Sequence, residues 1–461
     1  MKITFINLKP NIKSDHPRHT LPPLDIGYCA SLLEKKGNKT YLVDQNIWGY
    51  TINQLRDSII KNKSDILIVK PGINNVKYTL ELSNKTKDIV KKIFLIGPFA
   101  SLYYKDFIFK ESPIDLVVLN EPELTLLELS ENYGKDKELR NIEGVVYYDK
   151  KIIITRQRKL IKKLDILPFP KHEFFIRKGY TFYYPVNIRK KTNTGYILSS
   201  RGCPHKCIFC STIERVSYGR LYRTRCPKNI VDEMIMLKDQ GINVIYFIDD
   251  NFTENRHHVI DVCDEIIRRK LDIKWVAQSR ISDLDRIMLT RMKKAGCSTL
   301  SLGIESGSNR ILRILQKNIT TSKIRQAFKL IKKQKLLVNA NFILGNPTET
   351  EAELKQTLNL AKILMPEMVT FSFYTVYDPK NFNNRFINTS RFDVKNNPSK
   401  LTGRELKSFQ KKFYIKYYMN MRFILNFMLK QGIYTILNLR KLIAITLKFF
   451  LIVLDDKTPN E

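Results

Sequence analysis

Over residues 1–135 the apolar positions gather in short unbroken runs: ITFINL (3–8), TYLVD (40–44), DILIV (65–69), IFLIG (93–97) and DLVVL (115–119). The stretches between them have helical length, and 26–36 reads as a helix that Gly37 closes. Runs that stay apolar instead of alternating, separated by helices, predict a parallel sheet buried on both faces. Such sheets bind ligands at the carboxyl ends of their strands. Here those ends are Asp44, Gly72, Gly97 and the Asn120–Glu121 turn.

The pattern then changes. EGVVYYDKKIIIT predicts a hairpin around Asp149–Lys150, and LDILPFP (164–170), with two prolines, predicts an extended connector. Strand–helix alternation returns with GYILSS (195–200), VIYFIDD (244–250), KWVAQSR (274–280), TLSLGIES (299–306), LVNANFILG (337–345) and MVTFSFYTVY (368–377). Helical segments such as 283–296 and 321–335 lie between them. Six such units predict a parallel barrel, partial or full, with its chemistry at the carboxyl ends of the strands. Polar residues gather at those ends: a cysteine loop, Asp249–Asp250, Arg280, Glu305 and the turn at Gly345.

From 404 to 454 aromatic and aliphatic residues interleave with Lys and Arg at helical spacing, and Glu405 is the single acid. The fold class is therefore α/β: an N-terminal Rossmann-like parallel sheet domain (1–141), a hairpin and Pro-containing linker (142–192), a (βα)6 partial TIM-type barrel (193–380) and a basic, apolar C-terminal helical region (381–461). At ~150 residues per domain, a length of 461 fits this count.

A net charge of +34 suggests an anionic partner or a Lys-rich solvated surface. No RNA-binding signature accompanies it, and most of the excess lies outside 404–454, so a nucleic-acid partner is disfavoured. In the C-terminal region basicity coincides with apolar helix. That segment is expected either to cap the barrel or to lie on an anionic membrane surface. Seven cysteines, three of them within 203–210, point to a reducing compartment and a metal site, not a disulfide scaffold. The expected location is the cytoplasm, with peripheral contact at the inner membrane face as the alternative.

The strongest motif is SSRGCPHKCIFCS, which spaces Cys203, Cys207 and Cys210 as C-x3-C-x2-C. Three thiolates on one loop can hold three irons of a [4Fe–4S] cluster and leave the fourth iron open to a small molecule. Phe209 would shield the cluster from water. The competing reading is a structural zinc site completed by Cys226 or His205, although the second ligand pair typical of zinc modules is missing. Asp249–Asp250 could instead cap the following helix, and Glu305 could be a structural ion-pair partner.

At this motif the chain resembles the radical S-adenosylmethionine (SAM) enzymes, with FIDDNFTEN (247–255), LGIESGS (302–308) and FILGNPTETEAEL (342–354) similar to the family's strand-end segments in order and spacing. The resemblance implies that Phe209, Asp249, Asp250, Arg280 and Glu305 line the SAM and substrate site. One departure is Thr348, where relatives usually carry Gly, which puts the conformation of that turn in question. In the first domain, Asp44-Gln-Asn46-Ile-Trp-Gly49 is similar to the D-x-H-x-x-G loop of cobalamin-binding domains, with Asn46 in place of the cobalt-ligating His. Together with the helix at 22–37 and LNEPELTLLEL (119–129), it implies a cobalamin site at Asp44, Asn46, Gly49, Gly72, Gly97 and Glu121. A Rossmann domain that has lost its corrinoid is the alternative.

The family resemblance covers about residues 1–380. It implies a [4Fe–4S] cluster, SAM, cobalamin and an electron donor such as flavodoxin or ferredoxin. The activity it implies is cleavage of SAM to a 5′-deoxyadenosyl radical and C-methylation of an unactivated carbon on a small, apolar or lipid-like substrate. Oxidative cyclisation or rearrangement is the runner-up, and a non-catalytic zinc or nucleic-acid scaffold the outside alternative. The lack of a second cysteine triad in the first domain disfavours methylthiotransfer.

Overall fold

The computed structural model describes residues 1–10, 20–73, 75–133, 136–180, 192–210, 218–374 and 399–431. In chain order its first seven strands are β1 (Lys2–Asn7), β2 (Lys39–Asp44), β3 (Ile66–Lys70), β4 (Lys92–Leu95), β5 (Leu116–Val118), β6 (Val145–Asp149) and β7 (Lys151–Ile154). They form one sheet in the order β2-β1-β3-β4-β5-β6-β7. The first five strands are parallel. Successive residues of each strand feed opposite cores: Ile6, Leu67 and Leu95 pack on one face, and Phe5, Ile68 and Phe94 on the other. Two buried faces are why these strands read as unbroken apolar runs. Strand order reverses between β1 and β3, where Asn7 sits in register with Lys70. Crevices for ligands open at such a switch point.

The hairpin is a correction to the sequence reading. Assigned to the 142–192 linker, it instead completes the first sheet, with β6 antiparallel to β5 and β7 antiparallel to β6. The sheet therefore continues to Ile154, well past 141. A hairpin signal shows that two strands pair with each other; it does not show which third strand they join.

The connector that follows is buried. Ile161, Leu164, Leu167 and Phe175 pack with Leu24 and Tyr28 of the first domain and with Leu198, Tyr246 and Val276 of the second. At about 1.5–3 kcal/mol per buried large apolar side chain, this cluster holds the two units together. Gly27 is required there, because an added Cβ would fall 2.8 Å from the Phe175 ring and 2.9 Å from Pro170.

The remaining strands are β8 (Thr194–Ile197), β9 (Ser200–Arg201), β10 (Arg223–Thr224), β11 (Val244–Phe247), β12 (Lys274–Arg280), β13 (Cys297–Glu305), β14 (Leu337–Leu344) and β15 (Met368–Phe373). Six of them form an all-parallel sheet in the order β15-β14-β13-β12-β11-β8, matching the six strands expected. The edge at β15 is closed by side chains of the helix Gly403–Tyr418. The Phe371 N–H donates to the Tyr414 hydroxyl (3.0 Å), the Val369 N–H donates to the Tyr418 hydroxyl (3.1 Å), and Gln410 Nε2 donates to the Phe371 carbonyl (2.6 Å). Leu406, Phe413, Tyr414 and Tyr417 are buried in the barrel core. This helix therefore caps the barrel, and it satisfies an edge that would otherwise be open to pairing. The basic apolar stretch beyond 431 lies outside the described residues. Among the described residues no helix is long and apolar enough to cross a membrane.

Candidate active site

The carboxyl ends of the six-stranded sheet and the β1/β3 switch point face one cleft of about 570 Å³. The barrel contributes Cys203, Cys207, Phe209, Cys210, Asp249, Asp250, Arg280 and Glu305 to its wall. The first domain contributes Asn7, Asp25 and Lys70.

The cysteine loop leaves the β9–β10 ribbon, and its entry is fixed from the other domain. Arg201 is 2% exposed; Nη1 donates to Glu121 (3.1 Å) and Nη2 to Glu123 (2.7 Å). Its guanidinium lies 5.1 Å from the Tyr28 ring centroid and 4.9 Å from that of Tyr218. Arg223 Nη1 donates to both oxygens of Glu121 and to the Ile161 carbonyl. Gly202 follows at φ +87°, and an added Cβ there would fall 2.3 Å from the Leu221 carbonyl oxygen. Only a glycine makes that turn.

The three thiols share one wall. Among the described residues, the side chains that gather within 4.8 Å, as one metal ion requires, are His205, Glu254 and Asp283, and the thiols are not such a group. A wider set of three thiol donors suits a multi-iron cluster better than a lone zinc. Cys226 is exposed at the start of the helix Pro227–Asp239 and does not line the cleft. His205 Nε2 is hydrogen-bonded to Glu254 (2.8 Å). Asn251 Nδ2 donates to Glu254 and Asp283, so hydrogen bonds already satisfy that group. Burial pushes the Cys203 thiol up, and the Arg280 guanidinium pulls it the other way.

Asp249 is fully buried. Its Oδ1 accepts hydrogen bonds from Ser199 Oγ (2.8 Å) and Ser200 Oγ (2.5 Å), while Oδ2 has no partner. Burial raises its carboxyl to about 6. The capping alternative is not realised, because Asn255 caps the helix Arg256–Arg268. An orphaned buried carboxylate oxygen on a cleft wall suits a ligand that brings a donor. Asp250 is exposed beside it.

Glu305 pairs with Lys317, its Oε1 2.8 Å from Nζ, and both are buried. It sits at φ +68° where the register between β13 and β14 shifts. Strain of this kind in a non-glycine residue collects at functional sites. Lys317 Nζ also lies 5.4 Å from the Phe209 ring centroid, which fixes the aromatic beside Cys210. Arg280 is 8% exposed; its Nη1 donates to Cys207 Sγ (3.1 Å) and its Nη2 to the Lys317 carbonyl (2.6 Å).

Thr348 does adopt the glycine conformation, at φ +60°. Arg310 holds it there, donating from Nη1 to the Thr348 hydroxyl and from Nη2 to its carbonyl, both at 2.9 Å. The turn survives the substitution because side-chain contacts replace the missing freedom.

In the first domain, Asp44, Asn46 and Gly49 share one loop beyond β2. Asp44 is fully buried and accepts from Asn46 N (2.8 Å), Asn46 Nδ2 (2.9 Å), Asn7 Nδ2 (3.0 Å) and Tyr180 OH (2.7 Å). Gly49 is left-handed with open space where a Cβ would point. At the other three positions the structure shows close packing around the glycines and ion pairs at Glu121. An added Cβ at Gly72 would fall 2.6 Å from the Pro10 nitrogen. Gly97 makes room for the Lys70 stem, 3.1 Å from its Cβ position. Glu121, expected at the cofactor loop, is consumed by Arg201, Arg223 and the Ile161 N–H. Its place is the interdomain clamp, because burial demands that both its oxygens be paired.

Sequence reasoning missed Lys70 and Asp25, which pair at 2.6 Å on the cleft wall, and Lys317. No spacing marks a lone Lys at a strand end or after a short helix.

Residues 197–361 match the Radical SAM superfamily. An uncharacterized methyltransferase of Pyrococcus horikoshii is 31% identical over 365 residues, covering 78% of this chain and 77% of that protein. The anaerobic magnesium-protoporphyrin IX monomethyl ester cyclase of Rubrivivax gelatinosus is 29% identical, covering 81% and 68%. Among solved structures, the radical SAM methyltransferase TsrM from Kitasatospora setae, with cobalamin and a [4Fe–4S] cluster bound, superposes with a TM-score of 0.64 at 17% identity, covering 81% of this chain and 72% of that one. The cobalamin-dependent radical enzyme OxsB, with aqua-cobalamin and SAM bound, gives 0.63 at 20% identity, covering 84% and 55%. At these identities the two structures speak for the fold.

Proposed function

This chain belongs to the radical SAM superfamily, in the group whose barrel follows a cobalamin-type Rossmann domain, and from that premise we propose that it methylates an unactivated carbon of a small molecule. The observation that carries the reading is the single cleft shared by three thiols, a buried carboxylate with an orphaned oxygen and the switch point of a second parallel sheet. When bound there, the cluster supplies the electron that splits SAM into methionine and a 5′-deoxyadenosyl radical, and the corrinoid supplies the methyl group. Cys203, Cys207 and Cys210 hold the cluster. Asp249 Oδ2 accepts from a donor on SAM or substrate. Glu305 and Lys317 fix Phe209 against the cluster loop. The loop of Asp44, Asn46 and Gly49 seats the corrinoid with no protein ligand from Asn46, whose amide is already bound to Asp44.

The lining tempers the expectation of an apolar substrate. Asn7, Asp25, Lys70, Gln278, Ser301 and Asn341 give the cleft polar anchors, so the substrate carries polar groups of its own.

The cyclase relative supports a second reading, radical oxidative cyclisation. Anaerobic turnover with SAM deuterated in its methyl group separates the two. Methylation yields S-adenosylhomocysteine beside 5′-deoxyadenosine and places deuterium in the product. Cyclisation yields 5′-deoxyadenosine with neither.

A further inference from the structure

Arg280 stands out among the charged groups of the cleft. It is 8% exposed, yet none of its contacts is a carboxylate: Nη1 meets Cys207 Sγ at 3.1 Å, Nη2 the Lys317 carbonyl at 2.6 Å and Nε the Ser282 hydroxyl at 3.4 Å. The neighbouring buried cation, Lys317, is neutralised by Glu305. A buried guanidinium without a counter-charge is costly, and a protein keeps one only where an anion completes it. The atom in line for that role is the Cys207 sulfur, which becomes a thiolate when it ligates iron. The side chain is also anchored at both ends. Its own N–H donates to Asn251 Oδ1 (3.1 Å), and the carbonyl it holds belongs to the segment that meets the cysteine loop through Ile208 N–H to Leu315 O (3.2 Å). Three of its five N–H donors are engaged on these partners, which holds the guanidinium against the cysteine loop.

We infer that Arg280 sets the reduction potential of the cluster by donating a charge-assisted hydrogen bond to the Cys207 thiolate. The inference rests on the cluster reading above. A donor and a positive charge at a ligating sulfur stabilise the reduced, more negative form and raise the potential. Arg280 is thus a positioning and tuning residue, with no step of its own in the reaction.

The test is an EPR-monitored redox titration of the reconstituted full-length protein without SAM or substrate, run on wild type, Arg280→Lys and Arg280→Met. Iron and sulfide are measured in each. The midpoint is expected to move to more negative potential in Arg280→Met, with Arg280→Lys between it and wild type. Equal midpoints in cluster-loaded wild type and Arg280→Met overturn the inference and leave the cluster reading standing. If Arg280→Met loses its cluster, an unchanged midpoint in loaded Arg280→Lys overturns it instead. If the titration is repeated with SAM and the midpoints separate only then, the inference is also overturned, because the guanidinium is then assigned to SAM. A wild-type protein that takes up zinc and no iron removes the inference and the proposed function together.

Discussion

The two carboxyl-end faces that meet at the cleft are finished differently. At the barrel mouth two ionisable groups are buried and left incomplete, Asp249 with an orphaned oxygen and Arg280 without a carboxylate, and Glu305, paired with Lys317, is strained at positive φ. At the Rossmann rim, Asp44 accepts four hydrogen bonds and its loop asks for nothing more. On the function proposed above, charged cofactors complete the electrostatics of the barrel mouth, and the rim holds a bulky group by shape. Unsatisfied buried charge costs stability, so the contrast also locates where the fold gives up stability for function.

The most severe way to break the contrast is to remove a thiol. Replacing Cys203, Cys207 or Cys210 with Ser is expected to abolish iron uptake and SAM cleavage while far-UV circular dichroism stays that of wild type. Cutting the clamp between the faces comes next. Arg201→Ala leaves Glu123 buried without its cation and is expected to cost about 3–5 kcal/mol in denaturant unfolding. Retention of wild-type stability would show that the two domains are not locked through Glu121 and Glu123.

Asp249→Asn sharpens the comparison by moving stability and activity in opposite directions. The folded-state carboxyl is raised to about 6 by burial, above its ordinary 3.8. The group therefore favours the fold below pH 3.8, and that contribution is lost as pH rises through 6. The variant is expected to flatten this dependence and to gain about 1–3 kcal/mol at pH 7.5 in the cofactor-free protein, with SAM cleavage lost. A destabilised variant would contradict the orphaned-oxygen reading.

At the rim, Asn46→Ala is expected to cost about 1 kcal/mol and to leave the visible spectrum of bound corrinoid unchanged. A spectral shift would make Asn46 a ligand. The smallest effect expected is Thr348→Gly. Relief of the left-handed backbone and loss of the Arg310 contact to the hydroxyl oppose each other, so the change should stay within about 1 kcal/mol.

Much of the architecture was legible because parallel strands buried on both faces announce themselves as unbroken apolar runs, and all six barrel strands fall where those runs lie. The cysteine loop was legible from spacing alone. Partnership across the fold was not. Glu121 reads as a rim residue until Arg201 and Arg223, about 80 and 100 positions away, are seen to consume it. Lys317 carries no local signal and matters only because β13 delivers Glu305 beside it. The hairpin read correctly as two strands, but its place in the first sheet depends on the unpaired edge of β5.

The central claim is that the barrel mouth holds an iron–sulfur cluster beside a corrinoid-bearing Rossmann rim. Its most direct test is iron, sulfide and corrinoid content per chain in protein purified anaerobically from cells supplied with cobalamin. The account predicts roughly four irons, four sulfides and one corrinoid. Stoichiometric zinc with neither iron nor corrinoid would contradict it.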